Sequence, residues 1–415
     1  MDRVALDLTV LSSPSQQRGI GRYVASLALA LSRAAPTNPS LVGITRLGWL
    51  GAVGSETDLA LATERLLAEA PRLSHAAWAY QVRALMARAV RQLRPSLLHS
   101  GHPDATPLGR LGCPRVVTCH DLIGLAYPER YLTWRDGWGP GQLRLDRRRY
   151  LSAEHVIAVS RATADDLMRV LEVRPCRISV VHNGIDLEAW SAEARDGDLS
   201  ALARLGLEAG SYALYVGGAD WRKNPEAMCA ATAATPDISL VWAGALRPEE
   251  RARAQAIAAA RGLGARLRFT DWIDDATLGA LRRGALAELF VSRMEGFGYP
   301  VLEAMACGCP VITSNRSSMA EIAGDAAILV DPEDHAALAS ALAALTRDSA
   351  ERRRLRDAGV AHARGYGIER MAAETLEVYR AVLARCSRGR GDRRARAPRA
   401  GLSRSARTRN RWGGP

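Results

Sequence analysis

The chain of 415 residues contains one lysine, Lys223, among 56 basic side chains, and no apolar run long enough to cross a bilayer. Its first stretch, MDRVALDLTV, lacks the charged segment, apolar segment and cleavage site of a secretory signal. The seven cysteines are an odd number at irregular positions, and Cys307 and Cys309 stand too isolated for a metal site or a disulfide framework. We therefore expect a cytoplasmic protein with reduced cysteines.

The net charge of +12 is concentrated at one end of the chain. Between Ser387 and Pro415, ten arginines are opposed only by Asp392, so this segment supplies nine of the twelve charges. The nearly neutral remainder argues against specific nucleic-acid recognition. Because the segment has almost no apolar residues to bury, we expect it to be disordered. A solvated extension is the simplest interpretation, and binding to anionic lipid or to RNA are the alternatives.

Short runs rich in Val, Ile and Leu alternate with helical patterns, which is typical of parallel α/β sheets. Six such runs lie between Val4 and Val181, and six more lie between Ala213 and Val330. The polar stretch SAEARDGDLSALARLGLEAGS separates the two series as a candidate linker. The pattern predicts two doubly wound, Rossmann-like α/β domains that face each other across a cleft.

The stretch GGADWRKNP, from Gly217 to Pro225, follows one of the predicted strands. In such sheets ligands bind beyond the carboxyl ends of the strands, so Arg222 and Lys223 are placed at the cleft. A solvated charge pair is the simpler interpretation of such residues. A codon bias toward arginine would remove any lysine that arginine could replace, however, and this favours a phosphate clamp in which Arg222 bridges two oxygens and Lys223 supplies a compact charge.

A second turn, SRMEGFGYPVLE, follows the apolar run ALAELFV, and Pro300 is placed to open a helix. The backbone N–H groups of Gly298, Tyr299 and Val301 can therefore face an anion. Glu295 and Glu303 frame this turn too far apart to share one small ligand group. A carboxylate can accept from two vicinal hydroxyls at once, as acidic residues do when they hold ribose.

The segment from Glu295 to Glu303, followed by AMACGCPVITSNRSSMAEIAGDAAILVDP, resembles the C-terminal signature of family 4 retaining glycosyltransferases with the GT-B fold. The resemblance extends to GGADWRKNP, VVHNGID, VTCHDL and RGIGRY, and covers nearly the whole chain except its arginine-rich end. It implies an N-terminal acceptor-side domain over residues 1–195 and a nucleotide-sugar-binding domain over residues 196–365. A helix over residues 366–386 is expected to return to the first domain, leaving 387–415 as the disordered tail.

The same resemblance implies the roles of individual residues. Arg222 and Lys223 would bind the donor diphosphate, Glu303 the ribose hydroxyls, and Glu295 and His120 the donor sugar. The catalytic set is Glu295, His120, Arg222 and Lys223. The donor-binding set is Gly19, Gly21, Gly218, Arg222, Lys223, Gly296, Phe297, Gly298, Tyr299, Val301, Leu302 and Glu303.

Cleavage of a glycosyl phosphate leaves negative charge on the departing diphosphate, which preorganised donors can stabilise. Retention of configuration could use a carboxylate nucleophile, but the resemblance favours front-face substitution, with Glu295 positioning the sugar and stabilising charge. The Asp196–Gly–Asp198 sequence falls in the linker, where we interpret it as a turn, and we expect no essential metal and no cofactor. RGIGRY lacks the spaced glycines and downstream acid of a dinucleotide site, which disfavours a dehydrogenase.

The combination of RGIGRY with SNRSSMAEIAGDAA resembles the branch of the family that uses GDP-mannose in surface polysaccharide assembly. A UDP-glucose or other UDP-sugar transferase is the alternative, and a non-enzymatic sugar-nucleotide sensor is a further one. The expected acceptor is a saccharide or lipid-linked saccharide. The segment AYQVRALMARAVRQLR has an apolar stripe at helical spacing and arginines off that stripe, which together with the basic tail allows peripheral contact with an anionic membrane.

Overall fold

The computed structural model of the protein describes residues 2–13, 15–16, 18–34, 39–45, 48–49, 63, 66, 75–131 and 140–395. Two sheets organise these residues. The first has the strand order β3-β2-β1-β4-β5-β6-β7 and is parallel except at β3, which pairs antiparallel with β2. Its strands are β1 (Arg3–Asp7), β2 (Ser40–Thr45), β3 (Gly48–Trp49), β4 (Leu97–Ser100), β5 (Arg115–Cys119), β6 (His155–Ala158) and β7 (Ile178–Val180).

The second sheet is parallel throughout and has the strand order β10-β9-β8-β11-β12-β13. Its central strands are buried on both faces, as strands covered by helices on two sides must be. The strands are β8 (Tyr212–Val216), β9 (Ser239–Ala243), β10 (Leu267–Asp271), β11 (Ala287–Phe290), β12 (Val311–Ser314) and β13 (Ile328–Val330).

Helices connect the strands of both sheets. In the first half they are α1 (Gly19–Ala34), α2 (His75–Leu93), α3 (Ile123–Ala126), α4 (Pro128–Tyr131), α5 (Pro140–Ser152) and α6 (Arg161–Leu171). In the second half they are α7 (Asp198–Arg204), α8 (Pro225–Ala233), α9 (Pro248–Ala260), α10 (Asp275–Gly284), α11 (Tyr299–Ala306), α12 (Ser318–Ala323), α13 (His335–Arg347), α14 (Ser349–Ala363) and α15 (Ile368–Ala395).

All twelve runs that the sequence predicts as strands form strands, and the two predicted sheets are confirmed. The antiparallel edge strand β3 was not predicted, because two residues carry no periodic signal. The predicted linker contains helix α7, which is held by an ion pair between Asp198 and Arg283. Asp196 and Gly197 form a turn, and Asp198 begins the helix.

Helix α15 returns to the first sheet, where Met371, Leu376 and Tyr379 join the buried core that includes α1. The helix continues to Ala395, past Ser387, where the sequence analysis placed the start of a disordered tail. Helix propensity does not favour this extension, because it contains Gly389 and Gly391. The expectation for residues 396–415 falls outside the described residues.

Helix α2 confirms the helical pattern predicted for AYQVRALMARAVRQLR. Its apolar stripe is buried at Val82, Met86, Ala89 and Val90 and partly buried at Leu85 and Leu93. Arg91 and Arg94 are exposed, whereas the side chain of Arg83 falls outside the description. Among the described helices, none is both long enough and apolar enough to span a membrane.

Asp7, at the carboxyl end of β1, is an acidic side chain buried in the first domain, with 1% of its surface exposed. Its Oδ1 accepts hydrogen bonds from the Thr9 amide and hydroxyl, and within the described residues its Oδ2 has no partner. Burial raises the pKa of Asp7 to about 6, despite the two hydrogen bonds from Thr9. The protonated form therefore fits the folded protein better than the carboxylate does.

Asp7→Asn should stabilise the protein at pH 8 and leave its stability unchanged at pH 4. Since the folded pKa of Asp7 is raised, its stabilising contribution is present at low pH and is lost as the pH rises through about 6. The asparagine stays neutral, so the gain at pH 8 should reach at most about 3 kcal/mol. Denaturant unfolding of both proteins at pH 4 and pH 8 measures the difference. A variant that is no more stable than the parent at pH 8 would contradict the prediction.

Candidate functional site

Two loops leave adjacent strands at the carboxyl edge of the second sheet. β8 and β11 are neighbours in that sheet, so the segment after β8, which carries Arg222 and Lys223, lies beside the segment after β11, which carries Glu295. Gly217 adopts φ 149°, which strongly favours glycine, and turns the chain out of β8. Trp221–Lys223 then forms a short 3-10 helix, in which the Arg222 amide donates to Oδ1 of the N-cap residue Asp220.

Glu295 joins the two cations that the sequence singled out. Its Oε2 lies 2.7 Å from Arg222 Nη1, and its Oε1 lies 2.6 Å from Lys223 Nζ. The Lys223 ammonium also lies 4.6 Å from the centre of the Phe290 ring. Only 14% of the Lys223 side chain and 11% of the Glu295 side chain are exposed. The structure thus brings Arg222, Lys223 and Glu295 together as one charged cluster.

The ionisation of this cluster follows from its contacts. Burial alone would raise the pKa of Glu295, but Arg222 and Lys223 outweigh it and lower that pKa to about 2. Burial lowers the pKa of Lys223, and Glu295 opposes this effect. Against the effect of burial, Glu295 also raises the pKa of Arg222. Glu295 is therefore a carboxylate at physiological pH, held between two cationic donors.

Arg293 fixes the backbone of the cationic segment, a role that the sequence reasoning did not identify. Its amide donates to the Arg222 carbonyl at 2.7 Å, and its Nη1 donates to the Trp221 carbonyl at 2.6 Å. Its guanidinium also pairs with Glu333, with 2.6 Å between Nε and Oε1. The loops after β8 and β11 are therefore joined through the backbone as well as through Glu295.

The turn before α11 leads into the helix that the sequence predicts at Pro300. Gly298, with φ 111°, precedes the helix, and Pro300 occupies its first turn as predicted. The Val301 amide donates to the Gly298 carbonyl, and the side chains of Val301 and Leu302 are fully buried. Only the backbone of these two residues could reach a donor, and their assignment to the donor site stays a prediction.

The neighbouring residues Phe297 and Tyr299 pack their rings edge to face, 5.4 Å apart. Phe297 is 5% exposed, so its side chain belongs to the core beneath the turn. Within the described residues the Tyr299 hydroxyl has no hydrogen-bond partner. The rings of Phe297 and Tyr299 therefore pack against the core side of the turn before α11.

The two domains touch at Gly296. A Cβ atom at this position would lie 1.7 Å from the His120 carbonyl oxygen, so no larger residue fits without movement. From the same side of the cleft, the Ser160 and Thr163 hydroxyls donate to the Gly296 carbonyl at 2.7 and 3.1 Å. Gly296 is therefore enclosed by groups of the first domain at the carboxyl ends of β5 and β6.

His120 follows β5 and faces the cleft. Its Nε2 lies 2.8 Å from the Gly101 carbonyl oxygen, and its ring meets that of Tyr23 edge to face at 4.9 Å. Desolvation lowers the pKa of His120 to about 4, so the ring is neutral at pH 7. Because a carbonyl only accepts, Nε2 carries the proton and Nδ1 is left as an acceptor.

The glycines of RGIGRY allow close packing at the start of α1. A Cβ at Gly21 would lie 2.0 Å from the Gln16 carbonyl oxygen, and one at Gly19 would lie 3.6 Å from the Tyr299 ring. Gly19 therefore faces the turn before α11 across the cleft. A Cβ at Gly218, by contrast, would meet no atom within 4 Å, so this glycine stands open at the end of β8.

Glu303 lies in α11 with 3% of its side chain exposed and already has two cationic partners. Its Oε1 lies 2.5 Å from Nη1 of Arg22, and its Oε2 lies 2.8 Å from Nη1 of Arg282. Burial would raise its pKa, but Arg22 and Arg282 lower it. The sequence reasoning identified neither arginine, although Arg22 stands within the quoted motif RGIGRY.

Glu321 forms a further set of contacts between the two domains. Its carboxylate accepts from the backbone amides of Arg161 and Ala162, at the start of α6, and lies 2.6 Å from His182 Nε2. Burial would raise the pKa of Glu321, but the bond from His182 and the amides lower it. A carboxylate of the second domain thus caps a helix of the first, where the positive end of the helix dipole lies.

Within the described part of the chain, no group of three or more His, Cys, Asp or Glu side chains is arranged to hold a metal ion. Four of the seven cysteines are buried, namely Cys119, Cys229, Cys307 and Cys309.

Family models match both halves of the chain. Residues 17–189 match the model described as Glycosyltransferase Family 4, and residues 204–362 match the one described as Glycosyl transferases group 1. The boundary between the two matches falls in the segment that separates the two sheets.

Two curated relatives show the range of similar proteins. The chain is 31% identical over 299 residues to D-inositol 3-phosphate glycosyltransferase 1 of Catenulispora acidiphila, covering 68% of this chain and 70% of that one. It is 26% identical over 279 residues to O-antigen chain mannosyltransferase B of Escherichia coli, covering 64% of this chain and 70% of that one.

Solved structures share the architecture at low identity. The sucrose-phosphate synthase of Thermosynechococcus elongatus superposes with a TM-score of 0.71 at 23% identity, covering 92% of this chain and all of that one. Anabaena HepE in complex with UDP-glucose gives a TM-score of 0.70 at 16% identity, with the same coverage. These likenesses confirm the predicted GT-B fold.

Gly296→Ala should hold the two domains further apart while leaving each sheet folded. The added methyl group would lie 1.7 Å from the His120 carbonyl, far inside contact distance. Small-angle X-ray scattering should show a larger radius of gyration with unchanged circular dichroism. Gly264→Ala is the matched control, because its Cβ would meet no atom within 4 Å. An unchanged radius in Gly296→Ala would show that the cleft is not closed in solution as it is in this structure.

Proposed function

Because this chain belongs to family 4 of the glycosyltransferases, we propose that it transfers a hexose from a nucleotide-sugar to a saccharide or lipid-linked saccharide, with retention of configuration. The observation that carries the proposal is the cluster of Arg222, Lys223 and Glu295 at the carboxyl ends of β8 and β11. It lies beside the start of α11 and opposite His120 of the other domain.

This cluster suits a diphosphate leaving group. As the glycosyl phosphate bond breaks, negative charge grows on the departing oxygen, and donors already in place stabilise it at no cost of reorganisation. Arg222 supplies a planar guanidinium and Lys223 a point charge, and the backbone amides at the start of α11 add a positive dipole end. Glu295 holds both cations in position before the donor arrives.

Glu295 also suits the sugar side of the reaction. Its pKa of about 2 keeps it ionised, so it can stabilise the positive charge that develops at the anomeric carbon. We propose front-face substitution, in which the departing phosphate accepts the proton of the acceptor hydroxyl. Two cations hold the Glu295 carboxylate, which weakens it as a nucleophile and disfavours the double-displacement alternative.

The opposing domain completes the proposed site. The neutral His120 ring presents Nδ1 as an acceptor for a sugar hydroxyl, because Nε2 donates to the Gly101 carbonyl. Gly19 lies against the Tyr299 ring, which places the start of α1 at the donor turn. We further propose that catalysis requires no metal and no cofactor, since two side-chain cations serve the diphosphate.

For the donor we propose GDP-mannose. Support comes from the motifs RGIGRY and SNRSSMAEIAGDAA and from similarity to a relative named as an O-antigen chain mannosyltransferase. A UDP-sugar donor is the alternative, because a structure of the same fold holds UDP-glucose. A non-enzymatic sensor is the third possibility, and it would bind a nucleotide-sugar without turning it over.

For the acceptor we propose a lipid-linked saccharide at the cytoplasmic face of a membrane. The exposed Arg91 of α2, Arg94 just after that helix, and the arginines that follow Ser387 would interact with anionic headgroups. Such contact would be peripheral.

The purified protein should hydrolyse one nucleotide-sugar slowly in the absence of an acceptor. A panel of GDP- and UDP-sugars, scored by thermal shift and by release of the nucleoside diphosphate, should single out GDP-mannose. Selection of a UDP-sugar would replace the proposed donor and keep the enzyme class. A thermal shift without release, even when candidate acceptors are added, would favour the sensor.

Lys223→Ala should lower kcat more than it weakens donor binding, because the ammonium stabilises charge that grows on departure. The expected loss is roughly 2 to 4 kcal/mol of transition-state stabilisation. Lys223→Arg should recover only part of the rate, since a larger planar group replaces a compact one in a nearly closed space. Steady-state kinetics of both variants decides, and an unchanged kcat in Lys223→Ala would remove Lys223 from the mechanism.

A further inference from the structure

Arg22 joins the two domains through a pair of carboxylates. It lies in α1 of the first domain, and its Nη1 and Nη2 lie 2.5 Å from Glu303 Oε1 and Asp275 Oδ1 respectively. Glu303 belongs to α11 and Asp275 begins α10, so both partners are in the second domain. The Arg22 guanidinium thus bridges the cleft at Glu303, the residue to which the family resemblance assigns the ribose.

The two cationic partners of Glu303 are not equivalent. Arg282 is fully buried and is also held by Glu288, with 2.9 Å between Nε and Oε2. Arg22 is 32% exposed, and its second partner, Asp275, is 60% exposed. Arg282 is therefore a fixed partner of one Glu303 oxygen, whereas Arg22 is a replaceable partner of the other.

Arg22 and a ribose cannot occupy Glu303 at the same time. With both arginines in place, only 3% of the Glu303 side chain is exposed, so two vicinal hydroxyls have no path to its oxygens. Movement of Arg282 would leave Glu288 and Glu303 as buried carboxylates without their shared cation, which is costly. Movement of Arg22 opens Oε1 toward the cleft at a lower cost.

We propose that Arg22 occupies the ribose position of Glu303 when no donor is bound, and that the ribose of the donor displaces it. This inference rests on the proposed function, because it takes a nucleotide as the ligand. Arg22 is then a competitor of the nucleotide, and each binding event exchanges one interdomain ion pair for hydrogen bonds between ribose and Glu303.

Asp275 can remain an ion-pair partner of the Arg22 guanidinium after the ribose has displaced it from Glu303. It already pairs with Arg22 Nη2, so Arg22 can release Glu303 and keep a carboxylate partner. The centre of the Trp190 ring lies beside both guanidinium groups, 5.5 Å from the Arg22 Cζ and 4.7 Å from the Arg282 Cζ. The charge of Arg22 therefore never has to be left unpaired during the exchange.

The proposed exchange predicts that substitutions of Arg22 and of Asp275 change nucleotide binding in opposite directions. Arg22→Ala removes the competitor and should tighten binding of GDP or UDP, whichever the wild type prefers, by roughly threefold to tenfold. Asp275→Asn removes one of two carboxylate partners of Arg22 in the resting state but its only one after displacement, so it should weaken that binding by about twofold to fivefold. The double variant should match Arg22→Ala, because Asp275 acts only through Arg22.

Isothermal titration with the nucleoside diphosphate and with its 2′,3′-dideoxy form tests the inference. The dideoxy form has no hydroxyls for Glu303, so its affinity should be the same in the wild type and in Arg22→Ala. Arg22→Lys should lie between the wild type and Arg22→Ala, because a single ammonium cannot bridge two carboxylates in the same way. Thermal unfolding of each variant shows that the protein titrated is folded.

Unchanged or weaker binding of the ribonucleotide in Arg22→Ala would overturn the inference. Equal loss for the ribo and dideoxy forms would show that Arg22 merely supports the structure. Failure of both GDP and UDP to bind either protein would overturn the proposed function and this inference with it. Binding to Arg22→Ala but not to the wild type would be the strongest support for displacement.

Discussion

The close approach of Gly296 to the His120 carbonyl is the contact on which the candidate site depends. Each sheet presents the carboxyl ends of its strands to the cleft, and at this point the two edges meet with no room for a side chain. The Ser160 and Thr163 hydroxyls bind the same glycine carbonyl, and Glu321 caps the helix that begins beside them. Because Glu295 precedes Gly296, these contacts between the domains set the position of the charged cluster relative to the first domain.

Inside the closed cleft, three acidic side chains are matched to cations or to amides. Glu295 lies between Arg222 and Lys223, Glu303 between Arg22 and Arg282, and Glu321 against two helix amides and His182. The pKa of each carboxyl is lowered despite burial, so all three remain ionised in the folded protein. The cleft thus carries paired charges whose partners can be exchanged for those of a ligand, whereas an unpaired buried charge would destabilise the protein.

The sequence predicts the strands and the cationic cluster because both are local signals. Apolar runs mark β1 and β8, and a solitary lysine beside Arg222 at a strand end marks the cationic cluster. The interdomain partners carry no such signal, since Arg22 and Glu303 are 281 positions apart and meet only after both domains fold. For the same reason Glu303 looked accessible to ribose from its position in the motif, although the folded chain covers it. The extension of α15 past Ser387 carries no local signal either, because Gly389 and Gly391 disfavour a helix and the segment has almost no apolar residues.

The environment of Lys223 gives a physical reason why an arginine-rich sequence keeps one lysine. Its ammonium fits between Glu295 Oε1 and the face of Phe290, in a space that leaves 14% of the side chain exposed. Arg222 already occupies the other carboxylate oxygen with its guanidinium, so a second planar group would compete for the same edge of Glu295. An ammonium is a compact charge without a fixed plane of donors, so Lys223 can turn toward a new anion without leaving its position. In the proposed reaction the same point charge would serve both the resting ion pair and a departing phosphate, which the planar guanidinium of an arginine would do less well.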